Sequence, residues 1–387
     1  MLDFNFQNET KIIFGKNSFD DLSKEISKWG RKVLLVYGGN SIKKNGIYDK
    51  VVAQLDKNQL IFEEISGVKP NPRLDLVLEG IDKARKSDID FILAVGGGSV
   101  IDTAKAIAMG AKCNKDIWSC FSGEVFENEV LPLGTILTIP AAGSESSTTT
   151  VITNQDKGLK RAFSTEELRP KFAILNPETT FTLPQKQTIA GAIDIMAHVF
   201  ERYFTNTENV DLTDRLCEGL LKILIKNIPI VLEEPENYHA RAEIMWAGTL
   251  AHNGLLGTGR EEDWGSHMIA HEISAQYDIT HGFTLSIIFP AWMKYVYKTN
   301  TNRFAQFANR VWNIEIDLDN LDRTAMEGIF ETEKFFKQIG APTRLRDLNI
   351  HDEHLENMSH KCTMNGSVGN FIKLHQGDVN KIFKLAL

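Results

Sequence analysis

The sequence predicts a chain in two parts, an α/β half built on a parallel sheet followed by an all-helical half. Three observations carry this prediction. Short β-branched runs alternate with amphipathic runs as far as about residue 184. Two of those runs end in clusters of glycine. Beyond Pro184 the texture changes to long runs of 3.6-residue period with few strand candidates. Alternation of strand and helix is what a sheet covered on both faces requires, because each crossover helix buries one face of it.

RKVLLVYGGN (31–40) reads as a buried strand that ends in glycines, and IYDKVVAQLDK (47–57) as a helix. LIFEEISGV (60–68) returns as a strand, and LDLVLEGIDKARKS (74–87) is helical. DIDFILAVGGGS (88–99) is a strand running into a glycine turn, and VIDTAKAIAMGA (100–111) is again a helix. GTILTIPAA (134–142) and KFAILNP (171–177) are later strands. In the second half, LTDRLCEGLLKILIKNIPIVL (212–232) and YHARAEIMWAGTLAHNGLL (238–256) carry the helical period. With no low-complexity tract or flexible linker, the expected division is 1–184 and 185–387, two halves packed directly with a cleft between them.

Composition excludes several classes of function. The 387 residues carry a formal net charge of −8, which gives no general attraction to nucleic acid or to an anionic membrane. No run of about eighteen apolar residues is present, so no membrane span is expected. The opening MLDFNFQNETKIIFG is polar and strand-like with no apolar leader core. Cys113, Cys120, Cys217 and Cys362 are scattered without CxxC spacing and read as reduced thiols. A cytoplasmic enzyme is the expectation.

The glycine turns carry the first chemistry. In VGGGSVIDTAK (95–105) three glycines lead from strand to helix, where exposed N–H groups favour an anion such as a pyrophosphate. Ser99 with Asp102 three residues later has the spacing of a reciprocal N-cap. The motif is not GxGxxG, so the standard dinucleotide fingerprint is absent. A second turn, YGGNSIKKNG (37–46), repeats the layout. Two such turns in one parallel sheet fit a dinucleotide laid along the carboxyl ends of the strands. No acid occurs between Val36 and Ile47 to bond a ribose diol; Asn40, Ser41, Lys43 and Lys44 stand there instead. Neutral donors and cations suit a 2′-phosphate, which points to NADP(H).

The second half holds the second chemistry. Asp194 and His198 are four residues apart in GAIDIMAHVFE (191–201), hence one turn apart on one helix face. His267, His271 and His281 follow in HMIAHEISAQYDITHG (267–282). Any one of these alone reads as a packed histidine or an early-turn acid. Together, flanked by Ala, Ile, Met, Val and Phe, they read as a metal site, because acid and imidazole in such surroundings are costly without a shared partner. One carboxylate with imidazoles suits a divalent transition ion rather than calcium or magnesium. The spacing leaves open whether His267 or His271, one turn apart, is the ligand. Trp264 could wall a substrate pocket or pack on a neighbouring helix, and Met196 and Met268 read as packing residues. His351, His354 and His360 in HDEHLENMSH read as surface histidines.

Taken together, GGGSVIDTAK, the Thr138–Pro140 and Gly143–Glu145 stretch, ILNP (174–177), GAIDIMAHVFE and HMIAHEISAQYDITHG resemble the iron-containing (group III) alcohol dehydrogenase family over essentially the whole chain. The turn at 37–46 is similar to that of its NADPH-dependent butanol dehydrogenase and aldehyde reductase branch, with Asn40 where that branch often has a third glycine. The resemblance implies a dehydroquinate synthase-like fold, an α/β dinucleotide domain plus a helical metal-binding domain. It implies Asp194, His198, His267 and His281 as metal ligands, Fe2+ foremost with Zn2+ or others acceptable, and His271 as a non-ligand in proton transfer or cofactor ordering. It assigns Gly96, Gly97, Gly98 and Ser99 to the pyrophosphate, and Gly38, Gly39, Asn40 and Ser41 to the adenosine-phosphate turn. Thr138, Ser147, Thr149 and Lys160 are assigned to the nicotinamide half and its phosphates. The expected reaction is hydride transfer between NADP(H) and a primary alcohol or aldehyde, in the direction of aldehyde reduction, by a homodimer. The alternative is an NAD-dependent polyol dehydrogenase or a metal-dependent lyase on the same fold.

Overall fold

The computed structural model describes residues 1–113, 115–126 and 129–387. The chain forms two compact units. One comprises Gln7–Pro184 and Glu234–Asn253; the other comprises Met1–Phe6, Gln185–Glu233 and Gly254–Leu387.

The first unit is built on a six-stranded parallel sheet. Its strands are β1 (Lys11–Phe14), β2 (Lys32–Tyr37), β3 (Ile61–Ile65), β4 (Phe91–Gly97), β5 (Leu133–Ile139) and β8 (Phe172–Leu175), in the order β1-β8-β5-β4-β2-β3. Between β5 and β8 the chain makes an antiparallel hairpin of β6 (Thr149–Asn154) and β7 (Leu159–Ser164). Alternate residues of the central strands enter two separate cores. Leu34, Val36, Ile92 and Ala94 pack on one face, and Val33, Leu35, Phe91, Leu93 and Val95 on the other. That double burial explains why these strands read as unbroken apolar runs.

Helices Ile47–Lys57, Leu74–Lys86 and Gly98–Lys112 cover the faces. Helix Tyr238–His252, which a single cut at residue 184 assigns to the helical half, packs in this unit. Its Thr249 hydroxyl donates to the buried Glu145 carboxylate at 2.7 Å. The sheet order also fixes where a ligand can lie. From β2 the chain moves outward to β3, then returns to lay β4 on the other side of β2, so the order reverses between β2 and β4. The carboxyl ends at such a reversal form a crevice.

The second unit is helical. Helix Gln185–Tyr203 is buried along nearly all its length, from Thr188 to Tyr203. Helices Asp211–Glu233, Gly265–Tyr277, His281–Val296, Thr301–Trp312 and Leu321–Gln338 pack around it and one another. Phe200, Phe204, Phe289, Trp292, Phe304 and Phe307 form an aromatic core there. Among the described residues no helix is long and apolar enough to cross a membrane.

Candidate metal centre and dinucleotide turns

Helix Gln185–Tyr203 carries Asp194 and His198 on one face, and both are buried. Helix Gly265–Tyr277 carries His267 and His271, and helix His281–Val296 begins with His281. The glycine that follows His281 explains part of the packing. A Cβ on Gly282 would lie 2.0 Å from the backbone oxygen of Ala190, so the two helices approach to a distance that no other residue permits.

The geometry brings Asp194, His267 and His281 together. One ligand atom from each lies within 4.8 Å of the other two. Asp194 Oδ1 is 3.9 Å from His267 Nε2 and 4.0 Å from His281 Nε2. Two donors bound to one ion at about 2.1 Å each sit roughly 3 to 4 Å apart, so a carboxylate and two imidazoles at these distances fit a divalent transition ion. His198 stands beside them, its ring centroid 4.8 Å from that of His267. Its Nδ1 is 2.7 Å from the Asp194 carbonyl oxygen, so Nε2 is the ring nitrogen able to serve an ion. Burial, then the neighbouring His267, hold His198 well below the usual imidazole range and therefore neutral, the form a metal ligand requires. His271 lies outside the close group, buried, its ring centroid 4.9 Å from that of His281.

Glu201 was not singled out by the sequence. Its carboxylate is 1% exposed and accepts three hydrogen bonds. His267 donates through its backbone N–H at 3.0 Å and through Nδ1 at 2.6 Å, and Trp264 through its backbone N–H at 2.6 Å. A proton held on Nδ1 leaves Nε2 as the ligand atom and fixes the ring plane. Burial pushes the Glu201 carboxyl up, and the His267 and Trp264 donors with the Arg202 charge oppose it and favour the carboxylate. The available signal was an acid three residues after His198 in an apolar helix. Trp264 adopts a left-handed backbone (φ 66°) and packs its ring edge-on against His198 and His267. The Arg202 guanidinium lies 4.6 Å from the Trp264 ring centroid. Met196 is fully buried and Met268 is exposed.

In the sheet unit, the two glycine turns leave adjacent strands. β2 pairs with β4, with Tyr37 opposite Val95, so Gly38–Ser41 and Gly96–Ser99 emerge side by side at the sheet reversal. Gly96 and Gly97 close β4, and Gly98 and Ser99 open helix Gly98–Lys112, which has no side-chain cap. That end of a long helix suits a phosphate.

The expected Ser99–Asp102 reciprocal cap is not formed. The helix starts at Gly98, and Asp102 turns into the core. There it accepts from the Ser144 hydroxyl at 2.6 Å and the Val151 N–H at 3.1 Å, pinning the 144–151 segment to the helix. Lys105 reinforces the link, donating to the Ser147 and Thr149 carbonyls at 2.8 and 2.9 Å. The Thr149 hydroxyl bonds Ser164, Thr138 is buried near the end of β5, and buried Lys160 donates to Asn71 at 3.0 Å. The window 37–46 also misses a carboxylate brought in by the next strand: Glu64 of β3 lies 3.9 Å from Lys43 Nζ.

Comparison with known proteins agrees with this architecture. Residues 9–177 match the model of the iron-containing alcohol dehydrogenase family, and residues 188–387 that of the family's C-terminal part. A probable NADH-dependent butanol dehydrogenase 2 of Bacillus subtilis is 46% identical over the full length of both chains. The NADPH-dependent aldehyde reductase YqhD of Escherichia coli is 38% identical over 95% of this chain and 94% of its own. The crystal structure of NADH-dependent butanol dehydrogenase A from Thermotoga maritima superposes with a TM-score of 0.95 at 39% identity, covering 100% of this chain and 99% of that one. The chain belongs to the iron-containing alcohol dehydrogenase family.

Proposed function

We propose that this protein transfers hydride between NADP(H) and primary alcohols or aldehydes, with aldehyde reduction as the working direction. The observation that carries the reading is the Asp194–His267–His281 group, its first two members buried, with His267 oriented by Glu201. Asp194, His198, His267 and His281 would hold the ion, Fe2+ foremost. Bound there, it supplies Lewis-acid polarisation of the substrate oxygen, and the nicotinamide supplies the hydride.

The chain's own residues do the remaining work. The amides of Gly96, Gly97, Gly98 and Ser99 take the pyrophosphate, and Gly38, Gly39, Asn40 and Ser41 take the adenosine-phosphate end. Thr138, Ser147, Thr149 and Lys160 serve the nicotinamide half. Three of these also have structural partners, because Ser147 and Thr149 receive Lys105, and Lys160 is bonded to Asn71. His271, buried beside His281, delivers the proton to the product oxygen. Relatives named for NADH stand beside others named for NADPH. Ser41, Lys43 and the lack of an acid in the turn favour a 2′-phosphate, and hence NADPH.

The test compares kcat/KM for butyraldehyde reduction with NADPH and with NADH, beside butanol oxidation with NADP+. The reading expects NADPH to be preferred and reduction to exceed oxidation at neutral pH. Preference for NADH would remove the cofactor assignment, and no turnover of any short aldehyde by fully metallated enzyme would remove the reaction.

A further inference from the structure

We propose that Glu64 is a specificity-determining residue of the dinucleotide site, whose charge beside Lys43 sets how strongly a 2′-phosphate is favoured over a free 2′-hydroxyl. The inference rests on the reading that the Gly38–Ser41 turn takes the adenosine end of NADP(H).

Glu64 reaches the turn through the sheet. β3 pairs with β2 in register, Glu64 opposite Leu35, and the chain leaving β3 folds back on the turn. The Gly67 N–H donates to the Gly38 carbonyl at 2.8 Å, and the Val68 N–H to the Tyr37 carbonyl at 3.4 Å. The Tyr37 hydroxyl donates to Glu64 Oε2 at 2.6 Å, and the Tyr48 hydroxyl donates to Oε1. Lys43 Nζ lies 3.9 Å from Oε2, and 4.5 and 5.2 Å from the ring centroids of Tyr48 and Tyr37. Burial alone would raise the Glu64 carboxyl. The two tyrosine hydroxyls, with Lys43 and Lys83, hold it below its ordinary value, so it stays an anion. The hydrogen bond to Glu64 and burial push the Tyr48 hydroxyl up to about 12, which keeps it a donor.

This arrangement decides the sign of the effect. Both carboxylate oxygens accept tyrosine hydroxyls, so Glu64 acts on the cofactor through its charge more than as a ribose-diol acceptor. Lys43 alone would attract a phosphate; paired with Glu64, the two make a net-neutral unit. Removing the carboxylate charge costs a half-exposed ion pair, which is weak, while both aromatic rings continue to hold the ammonium. It also removes a repulsion that a phosphate dianion feels and a hydroxyl does not. One unit charge within about a Debye length of a phosphate changes its binding by a factor on the order of 3 to 10. The repulsion is the larger effect, so neutralising Glu64 strengthens the preference for NADP(H).

The experiment measures the ratio of kcat/KM for NADPH to that for NADH in the metallated enzyme and in Glu64→Gln, Glu64→Asp and Lys43→Gln. Binding of 2′,5′-ADP and 5′-ADP by titration calorimetry reads the same preference without turnover. Glu64→Gln is expected to raise both ratios by about 3- to 10-fold, Lys43→Gln to lower them, and Glu64→Asp, which keeps the charge, to leave them within about twofold. An equal rise in Glu64→Gln and Glu64→Asp would assign the effect to packing and overturn the proposal. A fall or no change in Glu64→Gln, with Lys43→Gln still lowering the ratios, would overturn it while leaving the NADP reading intact. A wild type that does not distinguish 2′,5′-ADP from 5′-ADP would overturn both.

Discussion

Glu201→Gln changes one atom of the buried carboxylate and should weaken metal binding without touching a ligand. The native carboxylate offers Oε1 to the two His267 donors and Oε2 to the Trp264 N–H. An amide offers one acceptor and one donor, so whichever way it turns, an N–H group meets an N–H group. If the oxygen faces His267, the Trp264 amide loses its partner, at about 1–3 kcal/mol for a buried donor. If it faces Trp264, the His267 ring is no longer held with its proton on Nδ1, and Nε2 is no longer reserved for the ion. Losing such a supporting partner weakens metal affinity about 10- to 100-fold, or roughly 1.4 to 2.8 kcal/mol. Competition with a chromogenic chelator for Zn2+ measures the affinity, and thermal unfolding of the metal-free protein measures the stability cost separately. Zn2+ affinity within about twofold of wild type would refute the claim that Glu201 orders His267.

Three further outcomes are expected elsewhere in the molecule. Gly282→Ala places a methyl group 2.0 Å from the Ala190 carbonyl oxygen, so helix His281–Val296 must move away from helix Gln185–Tyr203. A loss of about 1–3 kcal/mol in urea unfolding, together with reduced metal content by elemental analysis, is expected. Lys105→Met leaves two carbonyls and the buried Asp102 without their cation, even though burial lowers the Lys105 ammonium to about 8. The expected loss is about 3–5 kcal/mol in the same unfolding assay. Glu25 is buried, and although burial would raise its carboxyl, hydrogen bonds from Lys11 and Lys28, each at 2.6 Å, hold it below its ordinary value of 4.5. Its stabilisation is therefore present above about pH 4.5 and lost as pH falls through the folded value. With both lysines half-exposed, Glu25→Gln should cost about 1 kcal/mol at pH 7, and the gap in unfolding free energy should close toward pH 3.

The parallel sheet was legible because its strands are buried on both faces, so VLLVY and FILAV appear as continuous apolar runs between amphipathic helices. Helix 47–57 coincides with its expected span because Ile47, Val51 and Leu55 recur on one buried face of an amphipathic run. The β6–β7 hairpin is not among the expected strands, although alternating TTVITN and LKRAFS flank a turn that holds Asp156 and Gly158. Helix Tyr238–His252 shows its period in the sequence, but a period does not name the neighbour it packs against. Asp194, His267 and His281 were visible as residue types in apolar surroundings. Their supporting carboxylate was not, because Glu201 meets His267 across 66 positions of chain. Asp102 has the spacing of a local cap, yet its partners lie more than forty residues away, at Ser144 and Val151. Glu64 was hidden by the strand IFEEI, where an acid on an outer strand looks like a solvated side chain.

Stripping the protein with a chelator, reloading it with one divalent metal at a time and following butyraldehyde-dependent NADPH oxidation, beside His267→Ala, decides whether turnover depends on an ion held by Asp194, His198, His267 and His281. The stripped enzyme is expected to be inactive, Fe2+ or Zn2+ to restore turnover, and His267→Ala to be restored by neither. Full activity in verified metal-free protein, or an undiminished rate in His267→Ala, would contradict that dependence.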